Sequence, residues 1–241
     1  MLVSCWYPTC APAQTADEII AKNISARGGQ ANLSSVKTRR IHARVEAHGQ
    51  AGTLLVEQKR PSKLRTETRI GGETLIRAYD GSSAWELDPR GEGMRLSPDE
   101  AGNMAREADF DGPLIGYRER SSSVEYAGRV KQEGRDAYKI KLRWKDGNVS
   151  YYYLSPDTGL ETSEEIGRDL DGREVRFVFH LQDYRTIGNL TLPFRIDSAN
   201  EEAGESQSVR IDSVEINPVI DDARFSPGIP HRREGEIARK N

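Results

Sequence analysis

Arg40-Ile41-His42-Ala43-Arg44-Val45-Glu46-Ala47-His48 alternates without a break. Ile41, Ala43, Val45 and Ala47 fall on one side, and Arg40, His42, Arg44, Glu46 and His48 on the other. A period of two with one apolar and one charged side is a half-buried β-strand with a solvated face. The same reading extends downstream. Gly49 to Gly52 turns the chain, and Thr53 to Lys59 follows with Leu54 and Val56 on one side. Arg60-Pro61-Ser62 interrupts it, because proline cannot donate to a ladder. Leu64 to Ile70, Glu73 to Tyr79 and Ala84 to Leu87 come next, separated by Gly71-Gly72 and Asp80-Gly81 and closed by Asp88-Pro89. Short strands joined by tight turns form a β-meander.

Two helices bracket this meander. Thr15-Ala16-Asp17-Glu18 is a capping box, a hydroxyl at the N-cap with a carboxylate three residues on. Ile19, Ile20 and Ile24 supply the helical stripe, and Gly28-Gly29 the left-handed stop. A helix is predicted from Ala16 to Arg27, with a short helical turn over Ala31 to Val36. Ser97-Pro98-Asp99-Glu100 is a second capping box with proline at the first helical position. It predicts a helix to Ala108, stopped by Asp111-Gly112-Pro113. From Val124 strands resume, punctuated by Glu133-Gly134, Asp146-Gly147, Asp157-Thr158-Gly159, Asp171-Gly172 and Gly188-Asn189, and the last is Val209 to Ile216. About ten or eleven strands result, with no strand–helix alternation, so a parallel α/β sheet is excluded. The expected class is mainly β (α+β), antiparallel, in one domain.

The chain has 241 residues, a net charge of -3 and 30% charged residues. No basic field exists to collect nucleic acid, and no apolar run approaches the roughly 18 residues that cross a bilayer. Met1 to Ala13 carries no charge and ends in Ala11-Pro12-Ala13, the small-residue pattern of a signal-peptidase site. The division expected is a signal segment 1–13, a single domain 14–230 and a charged tail 231–241. Leu2-Val3-Ser4-Cys5 has the order of a lipobox but no apolar region before it, so lipid anchoring is the lesser expectation. Both cysteines, Cys5 and Cys10, lie in that first segment, which leaves the domain without thiolate chemistry.

Catalytic patterns are sparse. There are four histidines. His42 and His48 are on one strand face, but a zinc site needs a third ligand beside them. No nucleophile elbow, no paired-cysteine motif and no glycine-rich phosphate loop occurs. Carboxylates alternate with Lys and Arg, the pattern of a solvated sheet face. No catalytic residue, metal ligand or cofactor is assigned.

The order of parts resembles a known family. Ala16-Asp17-Glu18-Ile19-Ile20-Ala21-Lys22 and Ala26-Arg27-Gly28-Gly29 follow the signal segment. Tyr79-Asp80-Gly81, Ala84-Trp85 and Asp88-Pro89 come later, then Val214-Glu215-Ile216-Asn217 and Asp221-Asp222-Ala223-Arg224-Phe225. Together they resemble the outer membrane lipoprotein-sorting protein family, relatives of the periplasmic lipoprotein carrier and its receptor. The resemblance implies a large curved antiparallel sheet forming an incomplete β-barrel, with a helical lid over an apolar concavity that takes acyl chains. It implies a periplasmic carrier of lipoprotein or other lipid chains, with lipid and an envelope membrane protein as partners and no cofactor. It also implies a strand arginine that holds the lid, with Arg39, Arg40 and Arg44 near the corresponding strand. Strand parity nominates Ile41, Val45, Leu54, Val56, Trp85 and Leu87 as ligand-facing, and the lid contributes Met104, Phe110, Leu114 and Ile115. Two other readings stay open. One is an envelope interaction or stress-sensing domain of the same fold. The other is a hydrolase using carboxylates or His42 and His48.

Overall fold

In the computed structural model, residues 14–120, 122–170, 173–200 and 204–226 are described. The expected signal segment and charged tail lie outside these residues. Helix α1 (Ala16–Ala26) begins at the predicted capping box. The Thr15 hydroxyl accepts from the Glu18 amide at 3.2 Å, and the Glu18 carboxylate accepts from the Thr15 amide at 2.9 Å. Helix α2 (Gln30–Ser35) follows across Gly28-Gly29. Gly28 has φ +119°, and a Cβ there would stand 2.0 Å from the Asn189 carbonyl oxygen. Glycine thus lets the α1–α2 corner sit directly on a hairpin of the sheet, where the Thr191 amide donates to the Arg27 carbonyl at 3.1 Å.

The meander comprises β1 (Thr38–Ala47), β2 (Gln50–Lys59), β3 (Lys63–Ile70), β4 (Glu73–Tyr79), β5 (Ala84–Leu87) and β6 (Gly93–Arg95). Helix α3 (Pro98–Glu107) starts at the second capping box, which closes in the same two-way manner at Ser97 and Glu100. A second meander follows: β7 (Ser123–Gln132), β8 (Arg135–Arg143), β9 (Val149–Leu154), β10 (Glu161–Leu170), β11 (Arg173–Ile187), β12 (Leu190–Asn200) and β13 (Glu205–Ile216).

Among the described residues thirteen strands form one antiparallel sheet in the order β6-β5-β4-β3-β2-β1-β13-β12-β11-β10-β9-β8-β7. Every neighbour is consecutive in sequence except β1 and β13, which zip the two meanders together at the centre. The sheet curves but does not close, so β6 and β7 are its free edges. Residues 96–122, which include α3, join those two edges. The topology therefore places the helical insertion as a strap from rim to rim.

Helices pack on one face, the concave one, in three patches. Ile19, Ile20, Leu114 and Tyr117 cover Ile140, Leu142, Tyr152 and Leu154. Leu33, Val36, Phe110 and Ile115 cover Leu190, Leu192 and Phe194. Met104, Ala108 and Leu96 cover Leu64 and Ala84. On the opposite face the segment after β13 folds back over β2 and β3. Arg224 and Arg40 reach the Glu57 carboxylate at 2.5 and 3.0 Å, with Arg65 at 3.8 Å, and Glu57 is only 1% exposed. Lys59 and Lys63 hold Asp222 at 2.8 and 3.2 Å. A carboxylate is buried stably in this way only when cations surround it.

Candidate functional site

Register decides which side chains share the concave face. Ile41 stands opposite Val56 and Val214, Ala43 opposite Leu54 and Ile211, and Val45 opposite Gly52 and Val209. The row continues from Val209 to Ile196, from Ile196 to Leu181, and from Phe179 to Glu164. Four predicted strand residues, Ile41, Val45, Leu54 and Val56, thus lie on one face.

Trp85 and Leu87 do not join them. Trp85 pairs with Ala78, Ala78 with Arg65, and Arg65 with Glu57, which is the outer face; Leu87 reaches the same face through Ile76, Glu67 and Leu55. The inward member of β5 is Ala84, fully buried against Met104, Ala108 and Leu96. A small residue there admits the helix, and the larger indole is turned away.

The predicted lid residues are all buried: Met104, Phe110, Leu114 and Ile115 serve as anchors between strap and sheet. They occupy one end of the concavity. At the other end the strands run beyond the helices. There Leu54, Ile70, Leu75, Leu181, Ile196 and Val209 share the concave face, are each partly exposed, and belong to none of the three packed patches among the described residues. A cavity of about 90 Å³ continues this row, lined by residues that include Ala47, Phe177, Ser198 and Gln207. The length of strand left uncovered by the helices is not visible in sequence.

Arginines clasp the strap. Arg60 donates to the Val36 and Leu33 carbonyls at 2.6 and 3.1 Å, and forks onto both oxygens of Asp111, at 2.8 and 2.5 Å. Its guanidinium also lies 4.6 Å from the Phe110 ring centre, with that of Arg39 at 5.2 Å. Arg120 pairs with Asp109 and donates to the Gly112 carbonyl at 3.3 Å. Gln58 donates to the Glu107 carbonyl at 3.3 Å while its side-chain oxygen accepts from Arg39 at 2.9 Å. Tyr117 and Arg118 both donate to Asp17 at the start of α1, at 2.7 and 2.6 Å. Burial pushes the Asp109 carboxyl up, and Arg120 opposes that shift.

Of the arginines nominated to hold the lid, only Arg39 is beneath it. Arg40 meets Glu57 and Glu215, and Arg44 meets Asp212, all on the outer face. Arg60 was not nominated. Its position before Pro61 marks a turn, and its partner Asp111 is 51 residues away, a distance no local pattern spans.

Deeper in the concavity, Glu164 faces Tyr152 and Phe179. Burial, reinforced by Glu161, pushes its carboxyl up to about 8, with Arg27 opposing. Tyr184 donates to the Glu161 carbonyl at 2.8 Å, and burial holds its phenol well above the usual range. His42 stands 3.5 Å from Glu215 on the outer face, and His48 occupies the β1–β2 turn. Among the described residues no three His, Cys, Asp or Glu side chains are placed to hold a metal ion. None of the described helices is long and apolar enough to cross a membrane.

Solved structures share this architecture. A LolA superfamily protein from Nitrosomonas europaea superposes with a TM-score of 0.59 at 16% identity, covering 89% of this chain and 99% of that one. A DUF1329 family protein from Desulfovibrio piger gives 0.59 at 10% identity, covering 87% and 96%. A putative outer membrane lipoprotein-sorting protein domain from Vibrio parahaemolyticus gives 0.57 at 11%, covering 88% and 94%. No family model and no curated protein matches the sequence. At these identities the likeness establishes the fold that these proteins share with this chain.

Proposed function

We propose that this chain, built on the lipoprotein-sorting fold, is a periplasmic carrier that holds an acyl chain of a lipid or lipoprotein in its concave face. The observation that carries the reading is the row of partly exposed apolar side chains, Leu54, Ile70, Leu75, Leu181, Ile196 and Val209, on one face beyond the helices. Apolar residues scattered over a surface need no explanation, whereas a contiguous concave set marks a ligand groove. Each methylene moved from water into such a groove contributes about 0.8 kcal/mol, so a chain of about sixteen methylenes contributes about 13 kcal/mol, and an association cost of at least about 4 kcal/mol leaves roughly micromolar binding at best.

The cavity of about 90 Å³ is smaller than the ~300 Å³ lower bound of ordinary ligand pockets. The structure is therefore the closed form in this reading, and loading lifts the strap. The helical anchors part from Leu64, Leu190, Leu192 and Phe194 as they rise, and the acyl chain enters beneath them along β1. The exchange replaces one apolar contact by another. Its net cost is then small, as a carrier that must also release its cargo requires.

The test is native mass spectrometry with lipid extraction on protein purified from a periplasmic fraction without detergent. An acylated species is expected to co-purify, and Leu54→Asp is expected to abolish it while the far-ultraviolet spectrum is retained. A clean apo mass with no uptake of added lipid or lipopeptide would sink the carrier reading and direct attention to a protein partner for this face.

A further inference from the structure

The 109–112 loop of the strap meets more guanidiniums than it has carboxylates. Four guanidiniums surround the loop Asp109-Phe110-Asp111-Gly112. Arg60 takes Asp111 and Arg120 takes Asp109. Arg27 and Arg39 are left over. The Arg27 guanidinium stands 3.5 Å from where a Cβ of Gly112 would be, so it lies against the underside of the loop. Arg39 is tied to the neutral Gln58 oxygen and faces Phe110. Among the described residues neither ion-pairs with a carboxylate. Burial and the neighbouring Arg27 depress the proton affinity of Arg39 to about 10, despite the opposing pull of Asp111. Glu164 is the acid that acts on Arg27 from the other side, but with its carboxyl held near 8 it is mostly protonated at neutral pH.

Desolvation of Arg39 without a counter-ion is costly, and such a cost is offset when a ligand brings the anion. Arginine is also the side chain best matched to a phosphate or carboxylate fork. The placement suits an amphiphile. Arg39 is on the concave face of β1, and Ile41, Ala43 and Val45 follow it on that face toward the helix-free mouth. From Arg39 to Ala47 the strand spans roughly 27 Å, enough to lay out a long acyl chain.

We infer that the cargo carries an anionic group, a phosphate or carboxylate, that seats between Arg27 and Arg39 beneath the 109–112 loop while its chain runs along β1 toward the open end. This rests on the carrier reading and adds the chemistry of the head. An arriving anion also competes with Asp109 and Asp111 for the same arginine cluster, so head binding and lifting of the strap are coupled.

The experiment compares two probes with the same tail, dodecyl phosphate and dodecyl maltoside, below their micellar concentrations, by calorimetry on the full chain. Dodecyl phosphate is expected to bind at least tenfold more tightly. In Arg27→Met/Arg39→Met that ratio is expected to fall below threefold. If the double variant does not fold, Arg27→Met, which keeps the Arg39–Gln58 contact, carries the comparison. Equal binding of the two probes, or a ratio that survives in the variants, overturns the inference and leaves the carrier reading standing. Binding of neither overturns both. Inorganic phosphate is the third probe. If it binds as tightly as dodecyl phosphate, the site takes free anions and the head-group assignment fails.

Discussion

Glu164 shows how one side chain in this concavity links protonation to stability. Its carboxyl is raised by burial and by Glu161 to about 8, against about 4.3 in an unfolded chain. The folded protein therefore binds a proton that the unfolded chain releases between these values. The contribution is fully present below about pH 4.3 and is lost as pH rises through 8. Between pH 6 and 9 the protein is expected to lose about 2–3 kcal/mol from this group. Glu164→Gln keeps the shape and removes the titration, so urea unfolding should show that loss flattened in the variant. An unchanged pH slope would place the ionisation elsewhere. Glu164 faces inward because β10 continues the pairing of Tyr152 and Phe179, whereas in sequence it stands in Glu161-Thr162-Ser163-Glu164-Glu165, which reads as a solvated stretch.

The strap is the element that the arginines control, and Arg60 is its principal tie. It serves three acceptors at once: two carbonyls that end α2 and the Asp111 carboxylate. Arg60→Met retains bulk against Phe110 but orphans those groups, and is expected to cost about 2–4 kcal/mol. Hydrogen exchange in α3 and residues 109–117 should accelerate well beyond that of β8 and β9, whose packing includes Ile140 and Tyr152. Uniform acceleration across both would mean that Arg60 supports the whole domain and does not latch the strap. At this scale much was legible in the sequence. Both capping boxes fixed their helices, and the glycine and proline turns marked most of the strands. The short edge β6 was not legible, because Gly93-Met94-Arg95 carries no alternation and is held by backbone pairing to β5. Nor was the inward face of β5. Strand parity pointed to Trp85 and Leu87, but the close approach of α3 selected Ala84. The arginine clasp escaped for a different reason, since it joins a turn after β2 to a loop after α3 and has no period to betray it.

Across the whole molecule the governing fact is the seam. Among the described residues thirteen strands are laid down in two meanders, the first running out from the centre to the free edge β6 and the second running in from the free edge β7, which meet only where β1 pairs with β13. Each half is locally connected, and the seam alone couples residues 39–47 to residues 207–216. Local contacts form early and distant ones wait on loop closure, so the seam is the slow event of assembly. A ribosome extends a chain by about 5–20 residues per second, so β1 stands with one bare edge for roughly ten to thirty seconds before its partner exists. A nascent chain arrested before Glu205 is therefore expected to remain sensitive to limited proteolysis in β1, and one extended past Ile216 to become resistant. Equal resistance in both would show that the first meander closes by itself. The timetable also sets what a truncated chain can be: without its last strand the protein keeps an open edge in the middle of its sheet, so the final dozen residues of the sheet decide whether the two halves are one body.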